Sequence, residues 1–182
     1  MTLDGQLLVA TPQLMDPNFA RTVILVLNHD EDGALGVVIN RPSVLAVAQV
    51  LPEWSEAVAP PAMVFGGGPV SPESALAVAV AREGGPASGF QRVAVDYGLV
   101  DLEATPADLM PDLTGLRIFA GYAGWGDRQL EAEIDEGSWY VVAATPGDLL
   151  SPEPATLWRQ VLRRQPGELA FVATFPDDPS HN

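Results

Sequence analysis

The chain has 182 residues, of which 47% are apolar, so it is long enough to bury a core and is expected to form one domain over residues 1–182. Its formal net charge is −15, from 24 acidic residues against nine basic residues, and all nine basic residues are arginine. This balance disfavours direct binding to DNA or RNA, because a phosphate backbone repels a strongly acidic protein at long range.

Neither an oxidising compartment nor a membrane is indicated. The chain contains no cysteine, which excludes disulfides, thiolate metal sites and cysteine nucleophiles. The N-terminal run MTLDGQLLVATPQL lacks the basic flank and the long apolar stretch of a signal peptide, and no window reaches transmembrane length. We therefore expect a cytoplasmic protein that does not contact a membrane.

The first part of the chain predicts one short strand and then an antiparallel hairpin. Residues 6–10 form a short strand-like run that Thr11-Pro12 ends, and residues 22–28 and 35–40 are two runs dense in valine, isoleucine and leucine. The acidic segment 29–33 between these runs ends in Gly33, which is free to take a positive φ. Pairing of the two runs would place Arg21 near Asn40 and Arg41 at one end of the hairpin.

Residues 44–81 alternate between helical and extended patterns. Residues 44–51 predict a helix closed by a proline, and residues 62–65 predict a strand that enters the turn Gly66-Gly67-Gly68-Pro69. At this turn the favoured interpretation is a bend in which two backbones approach closely. The small and branched apolar residues of 75–81 fit either a helix or a strand, and we favour a strand.

Residues 117–144 predict a strand, a glycine turn, a helix and a second strand. The glycines at 121, 124 and 126 interrupt the first apolar run. Asp127 is the expected N-cap of the helix, and Gly137 is placed to end it. Residues 138–144 are rich in β-branched and aromatic side chains, which predicts a strand buried on both faces.

Further short elements are predicted on either side of this unit. They are strands over 93–95 and 99–102, helices that open at Pro106, Pro146 and Pro152, and a frayed tail over 176–182. Because the strands arrive mostly as adjacent pairs and the helices are inserted irregularly, we expect an α+β fold with a largely antiparallel sheet.

Sequence patterns for common catalytic and metal sites are weak. His29 lies beside Asp30 to Asp32, but the glycine comes too early for a calcium loop, so a solvated acidic turn is favoured. With two histidines and no cysteine, no metal site is expected, and no G-x-S-x-G motif presents a nucleophile. The acidic pair Glu131 and Glu133 is interpreted as part of a solvated helix face. No cofactor is expected.

Polar residues next to the apolar strands are the better functional candidates. Asn18, Arg21, Asn40 and Arg41 bracket the hairpin strands, and Tyr122, Trp125 and Gln129 lie on or beside the glycine turn. In one interpretation these groups cap turns and strand ends inside the fold. In the other they form one shared cleft, where Arg21 or Arg41 holds an anion or a partner's carboxylate against the aromatic wall of Trp125.

Six motifs, in order along the chain, resemble the bacterial AlgH/YqgE family. They are GQLLVATP from Gly5, DPNFxRTV from Asp16, GALGVVINRP from Gly33, GGPV from Gly67, FAGYAGWG from Phe119 and QLExEI from Gln129. The resemblance covers nearly the whole chain. It implies an α+β fold with a bifurcated, mostly antiparallel sheet around a small closed barrel, flanked by helices, and it implies a link to transcriptional regulation without an established enzymatic activity or cofactor.

One position departs from the family pattern. Where members commonly carry Pro-Gly between the G-W-G and Q-L-E segments, this chain has Asp127 and Arg128. A function that depends on the backbone of that turn is therefore not expected to carry over unchanged.

Two functions follow as alternatives. The first is a non-catalytic regulatory or partner-binding protein that acts through the surface around Asn18, Arg21, Arg41, Tyr122 and Trp125, on an unknown protein partner, without binding DNA itself. The second is an enzyme, or a sensor of a small anion or nucleotide, that uses Arg21 or Arg41 as an anion clamp.

Overall fold

The computed structural model describes residues 2–94 and 96–176, so the predicted tail beyond Pro176, the last residue of the predicted strand 93–95 and His181 lie outside the described residues. In the described part, ten strands form one sheet. The strands are β1 (Leu7–Ala10), β2 (Val23–Asp30), β3 (Gly33–Val38), β4 (Pro42–Ala46), β5 (Met63–Gly66), β6 (Val70–Ala81), β7 (Phe90–Ala94), β8 (Tyr97–Val100), β9 (Leu113–Trp125) and β10 (Trp139–Val142). The α-helices are α1 (Val47–Val50), α2 (Pro106–Leu109), α3 (Gln129–Asp135), α4 (Pro146–Leu149), α5 (Leu157–Arg163) and α6 (Leu169–Val172).

The long strand β9 is the point at which the sheet branches. The main path runs β10-β1-β2-β3-β9-β6-β8-β7, and neighbours along it pair antiparallel. One edge of β9 pairs with β6. Its other edge is divided between β3, where Ala34 pairs with Trp125, and β5, where Phe65 pairs in parallel with Phe119. The predicted α+β fold with a mostly antiparallel sheet is therefore confirmed.

The sheet curls into an open half-barrel, and the expectation of a small closed barrel is wrong. Within residues 2–94 and 96–176, the main path ends at β10 and β7, and no ladder joins these two strands. Closure requires a continuous ring of paired strands. Here one edge of β9 is shared by two partners, so the sheet divides at β9 and does not close.

Buried apolar side chains form clusters on both faces of the sheet. On β1, Leu7 and Val9 enter the largest cluster, whereas Leu8 and Ala10 enter a cluster on the opposite face, as the alternation along a doubly buried strand requires. Helices α4 to α6 cover the largest cluster, and Trp158 of α5 donates from its indole to the carbonyl oxygen of Ala10 at 2.9 Å.

The predicted hairpin is confirmed, but the predicted helix over 44–51 is largely wrong. β2 and β3 pair antiparallel through the connection at Gly33, whose φ is +148°. Residues 42–46 are strand β4, which pairs with β5, and only 47–50 are helical. Pairing with β5 thus overrides a local pattern that fits a helix.

The prediction of a glycine turn over 121–126 is largely wrong, because residues 121–125 lie inside β9. The strand continues to Trp125, and Arg128, in the left-handed conformation with φ +54°, takes the N-cap position expected for Asp127. Gly121 (φ +76°) lies alone opposite residues 71–74 of β6, and a Cβ on it would lie 2.5 Å from the carbonyl oxygen of Gly68. These glycines permit a close crossing of two backbones, which confirms the interpretation of the Gly66 to Pro69 segment.

Candidate functional site

Asn40 and Arg21 close the end of the β2–β3 hairpin. The side-chain amide of Asn40 donates to the carbonyl oxygen of Arg21 at 2.9 Å and accepts from the backbone N–H of Val23 at 3.0 Å. The guanidinium of Arg21 lies 4.2 Å from the centre of the Trp158 ring and donates to the carbonyl oxygen of Pro176. The predicted proximity of Arg21 and Asn40 is confirmed.

Arg41 holds the loop that precedes β2. Its guanidinium donates to the carbonyl oxygens of Asn18 and Ala20, both at 2.7 Å. Burial lowers the pKa of Arg41, and the nearby carboxylate of Asp16 opposes this effect. These hydrogen bonds go to the main chain, which corresponds to the capping role that the sequence offered as one interpretation.

The structure does not bring Trp125 to the two arginines. Trp125 pairs with Ala34 near the start of β3, whereas Asn40 follows the end of β3. Six residues of extended chain separate these positions by about 20 Å. Tyr122 packs against the largest cluster and Trp125 belongs to the cluster on the opposite face. The candidates therefore do not line one cleft, and their role in binding stays a prediction.

Trp125, Trp139 and Gln129 converge on the carboxylate of Glu133. The indole N–H groups of Trp125 and Trp139 donate to its Oε1, at 3.2 Å and 3.0 Å, and the amide of Gln129 donates to its Oε2 at 2.9 Å. The amide oxygen of Gln129 also accepts from the backbone N–H of Gly126 at 2.9 Å. The interpretation of Glu133 as a solvated acid is wrong, because this carboxylate fixes α3 against the sheet.

His29 pairs with Glu131 at the other end of the hairpin. Its Nδ1 accepts from the backbone N–H of Leu3 at 3.1 Å, so Nε2 carries the proton that is donated to the carboxylate of Glu131. This hydrogen bond is the main cause that holds the pKa of Glu131 below its usual value. Both ring nitrogens are thus engaged, and His29 is not a solvated residue at a hairpin tip.

Arg117 is a buried cation that the sequence analysis did not identify. Only 1% of the residue is exposed, and its guanidinium donates to the carbonyl oxygens of Leu149 and Ser151, both at 2.9 Å. Longer hydrogen bonds of 3.2–3.4 Å reach the carbonyl oxygens of residues 59–61, and the ring of Phe65 lies 4.2 Å away. Burial lowers the pKa of Arg117 to about 10, which leaves it charged at neutral pH.

An apolar groove of about 370 Å³ opens where the sheet branches. Its floor consists of the buried Val64 and Ile118 and the half-buried Ala120. One wall consists of Leu45, Val50 and Leu51, and the other wall consists of residues 72–75. The walls exist because β4 leads directly into α1 on one side, while residues 71–74 bulge out of β6 on the other. We call this feature the apolar groove.

In the part of the chain that the structure describes, histidine and acidic side chains form no group of three or more that could hold a metal ion. In the same residues, every helix is too short or too polar to cross a membrane.

Known proteins share this fold. A family model described as AlgH-like matches residues 7–170, which is most of the chain. The chain belongs to the AlgH-like family. The resemblance found in the sequence motifs is thereby confirmed.

The relatives of this AlgH-like chain match it along nearly its whole length. A UPF0301 protein of Streptomyces coelicolor is 57% identical over 185 residues, which cover 100% of this chain and 96% of the relative. A UPF0301 protein of Mycobacterium marinum is 47% identical and covers 98% of this chain and 90% of the relative.

Solved structures show the same AlgH-like fold. The crystal structure of protein DIP2367 from Corynebacterium diphtheriae has a TM-score of 0.90 at 37% identity and covers 94% of this chain and 92% of its own. The solution structure of the AlgH protein from Pseudomonas aeruginosa has a TM-score of 0.71 at 30% identity, with coverages of 96% and 94%. None of these names specifies an activity or a ligand.

Proposed function

We propose that this AlgH-like protein is a non-catalytic, partner-binding protein with a regulatory role, and that the apolar groove is its contact surface. One observation carries the proposal. Leu45 and Val50 leave 39% and 47% of their surface exposed directly beside the buried floor residues Val64 and Ile118. A contiguous apolar depression of this kind, with polar groups at its rim, is typical of a surface that binds another molecule.

The polar side chains of the chain support a role without chemistry. His29 uses both ring nitrogens, Glu133 accepts from two indoles, and Arg41 and Arg117 donate to main-chain carbonyls. A catalytic acid, base or anion clamp needs a polar group that is directed at the substrate. These side chains instead hold the fold together.

The test uses a photo-crosslinking amino acid placed at position 50, in the cells from which the protein comes. We expect a specific adduct with another protein, identified by mass spectrometry, that disappears when Leu45→Asp is added. The same probe at position 171 is the matched control, because Phe171 is 72% exposed and lies outside the groove. Equal labelling from both positions, or no adduct from position 50, contradicts the proposal.

The alternative of an anion or nucleotide sensor that uses Arg21 or Arg41 is decided by a thermal-shift screen against nucleotides, phosphorylated metabolites and divalent metals. A ligand at about 100 times its Kd adds about 2.7 kcal/mol and raises the Tm of a chain of this size by roughly 5 to 10 °C. On the partner-binding proposal, no compound produces this shift. An anion that raises the Tm of the wild type but not of Arg41→Ala would establish the alternative.

Two finer statements belong to the same proposal. We propose that any link to transcription acts through a protein partner and not through direct contact with DNA. The cytoplasmic location stays a prediction, and fractionation of the source cells checks it.

A further inference from the structure

We infer that the occupant of the apolar groove is a basic segment of a partner protein, which inserts apolar side chains into the groove and places lysine or arginine at its rim. This inference rests on the proposed function and adds the chemistry of the partner. Its first support is the groove itself. A volume of about 370 Å³ falls in the range of about 300–1,000 Å³ for pockets that bind ligands, and the floor of Val64 and Ile118 offers no side-chain hydrogen-bonding group.

The charge around the groove indicates the sign of the charge that the partner segment carries. Glu73 lies in one wall of the groove and is exposed. Among the described residues that line the groove, none is basic. The chain as a whole carries a net charge of −15. A basic segment is therefore attracted at long range and also finds the carboxylate of Glu73 at the rim.

The same charge argues against a second copy of the chain as the occupant. Two copies would bring together surfaces that each belong to a chain of net charge −15. Like charges opposed across an interface destabilise the complex. A small apolar molecule would fill the floor but would gain nothing from the carboxylate of Glu73 at the rim.

The experiment measures binding of two fluorescein-labelled peptides of equal length by fluorescence anisotropy. One peptide consists of leucine and lysine, and the other has glutamate in place of each lysine. We expect the full-length protein to bind the lysine peptide and not the glutamate peptide. Val50→Asp should weaken binding by about tenfold or more, even though it adds a negative charge, because a desolvated carboxylate in the groove opposes insertion of leucine.

Two further variants test the contribution of the rim charge and the effect of a negative charge added outside the groove. Glu73→Gln should lower the affinity for the lysine peptide several-fold and reduce the salt dependence of binding, because one rim charge is removed. Phe171→Asp adds the same charge as Val50→Asp at an exposed apolar residue outside the groove, and it should leave the affinity unchanged. Circular dichroism verifies that each variant is folded.

Several outcomes would overturn the inference. These are equal affinities for the two peptides, equal effects of Val50→Asp and Phe171→Asp, or no binding of the lysine peptide. If light scattering shows a wild-type dimer that Val50→Asp converts to a monomer, the occupant is a second copy. If position 50 still crosslinks to a partner while the lysine peptide fails, the proposed function stands and only the basic chemistry is wrong.

Discussion

A single buried cation joins three parts of the chain. Arg117 on β9 donates to the carbonyl oxygen of Leu149, the last residue of α4, and to that of Ser151, just beyond it. It also donates to the carbonyl oxygens of residues 59–61. Removing a guanidinium from water costs several kcal/mol, and its hydrogen bonds together with the ring of Phe65 offset that cost. Several carbonyl oxygens accept from this one planar guanidinium. A side chain of another type cannot supply all of these hydrogen bonds.

We expect Arg117→Met to lower the free energy of unfolding by about 3 kcal/mol, because buried carbonyl groups lose their donors. Arg117→Lys should recover only part of this loss, since an ammonium group lacks the planar fork of a guanidinium. Urea denaturation followed by circular dichroism measures both variants. The matched control is Arg163→Met at the exposed end of α5, which should change the stability by less than about 0.5 kcal/mol. Similar losses at both positions would contradict the structural role of Arg117.

Arg128 adopts a backbone conformation that arginine disfavours. It has φ +54° and ψ +10° at the N-cap position of α3, which is a position where glycine is more readily accommodated. The left-handed region costs a residue with a Cβ about 1–2 kcal/mol relative to the right-handed region. The turn before α3 is therefore strained at Arg128.

Arg128→Gly is expected to raise the free energy of unfolding by about 0.5–1 kcal/mol, because relief of the strained φ exceeds the greater chain entropy of glycine in the unfolded state. Thermal unfolding should show a higher Tm. Arg163→Gly serves as the control, since the same replacement in the last turn of α5 is expected to destabilise by about 1 kcal/mol. A lower Tm for Arg128→Gly would show that the arginine side chain stabilises the turn.

At the level of elements, the half-barrel depends on a crossing of two glycine segments. The backbone after β5 passes so close to β9 that a Cβ on Gly67 would lie 2.3 Å from the carbonyl oxygen of Gly121. The N–H of Gly67 donates to the carbonyl oxygen of Ala120, and its own carbonyl oxygen accepts from Val38, both at 2.9 Å. This segment thus joins β3 to β9 at the branch of the sheet.

Gly67→Ala should destabilise the protein by about 2–3 kcal/mol, since the added methyl group meets backbone atoms that cannot rotate away. For a chain of this size the Tm is expected to fall by about 4–12 °C. The control is Gly147→Ala, because a Cβ at that helical position meets only the Thr145 hydroxyl at 3.9 Å. Alanine there should be neutral or should stabilise by up to about 1 kcal/mol. Unchanged stability of Gly67→Ala would show that the crossing can open.

The sequence predicts the elements whose signals are local. β2 and β3 are dense in β-branched residues and are joined at Gly33, and Gly137 ends α3 with φ +84°. At β4 the sequence pattern gives a wrong prediction. Its residues fit a helix locally, but they form a strand because they pair with β5. The closed barrel fails for a similar reason, because the division of the β9 edge depends on partners that are distant in sequence.

The candidate site is less predictable than the fold. Asn40 and Arg41 can be identified as caps because they end an apolar run. Arg117 interrupts such a run as well, which is the signal that could have identified it, but its carbonyl partner at Leu149 is 32 residues away. The groove combines residues of β4, β5, β6 and β9. It could not be predicted from the sequence, because the pattern of residues 44–51 predicts a helix where the structure has β4.

At the scale of the whole molecule, several of the nine arginines are engaged within the fold. Arg164 makes a bidentate ion pair with the buried carboxylate of Asp148, with both N–O distances at 2.6 Å, and this carboxylate raises the pKa of Arg164. Arg117 is buried, and Arg41 caps a loop. These cations thus stabilise the interior and the loops, and the net charge of −15 gives the protein a negative long-range field.

We therefore expect no retardation of double-stranded DNA in a gel-shift assay at physiological salt, and none at low salt, where weaker screening strengthens the repulsion. A basic DNA-binding protein of similar size is the positive control. The leucine–lysine peptide should bind under the same conditions and should bind more tightly as the salt concentration falls, since its charge is opposite. Retardation of DNA that weakens steeply with added salt would reveal phosphate contacts. It would show that the target of this chain is DNA and not a protein partner.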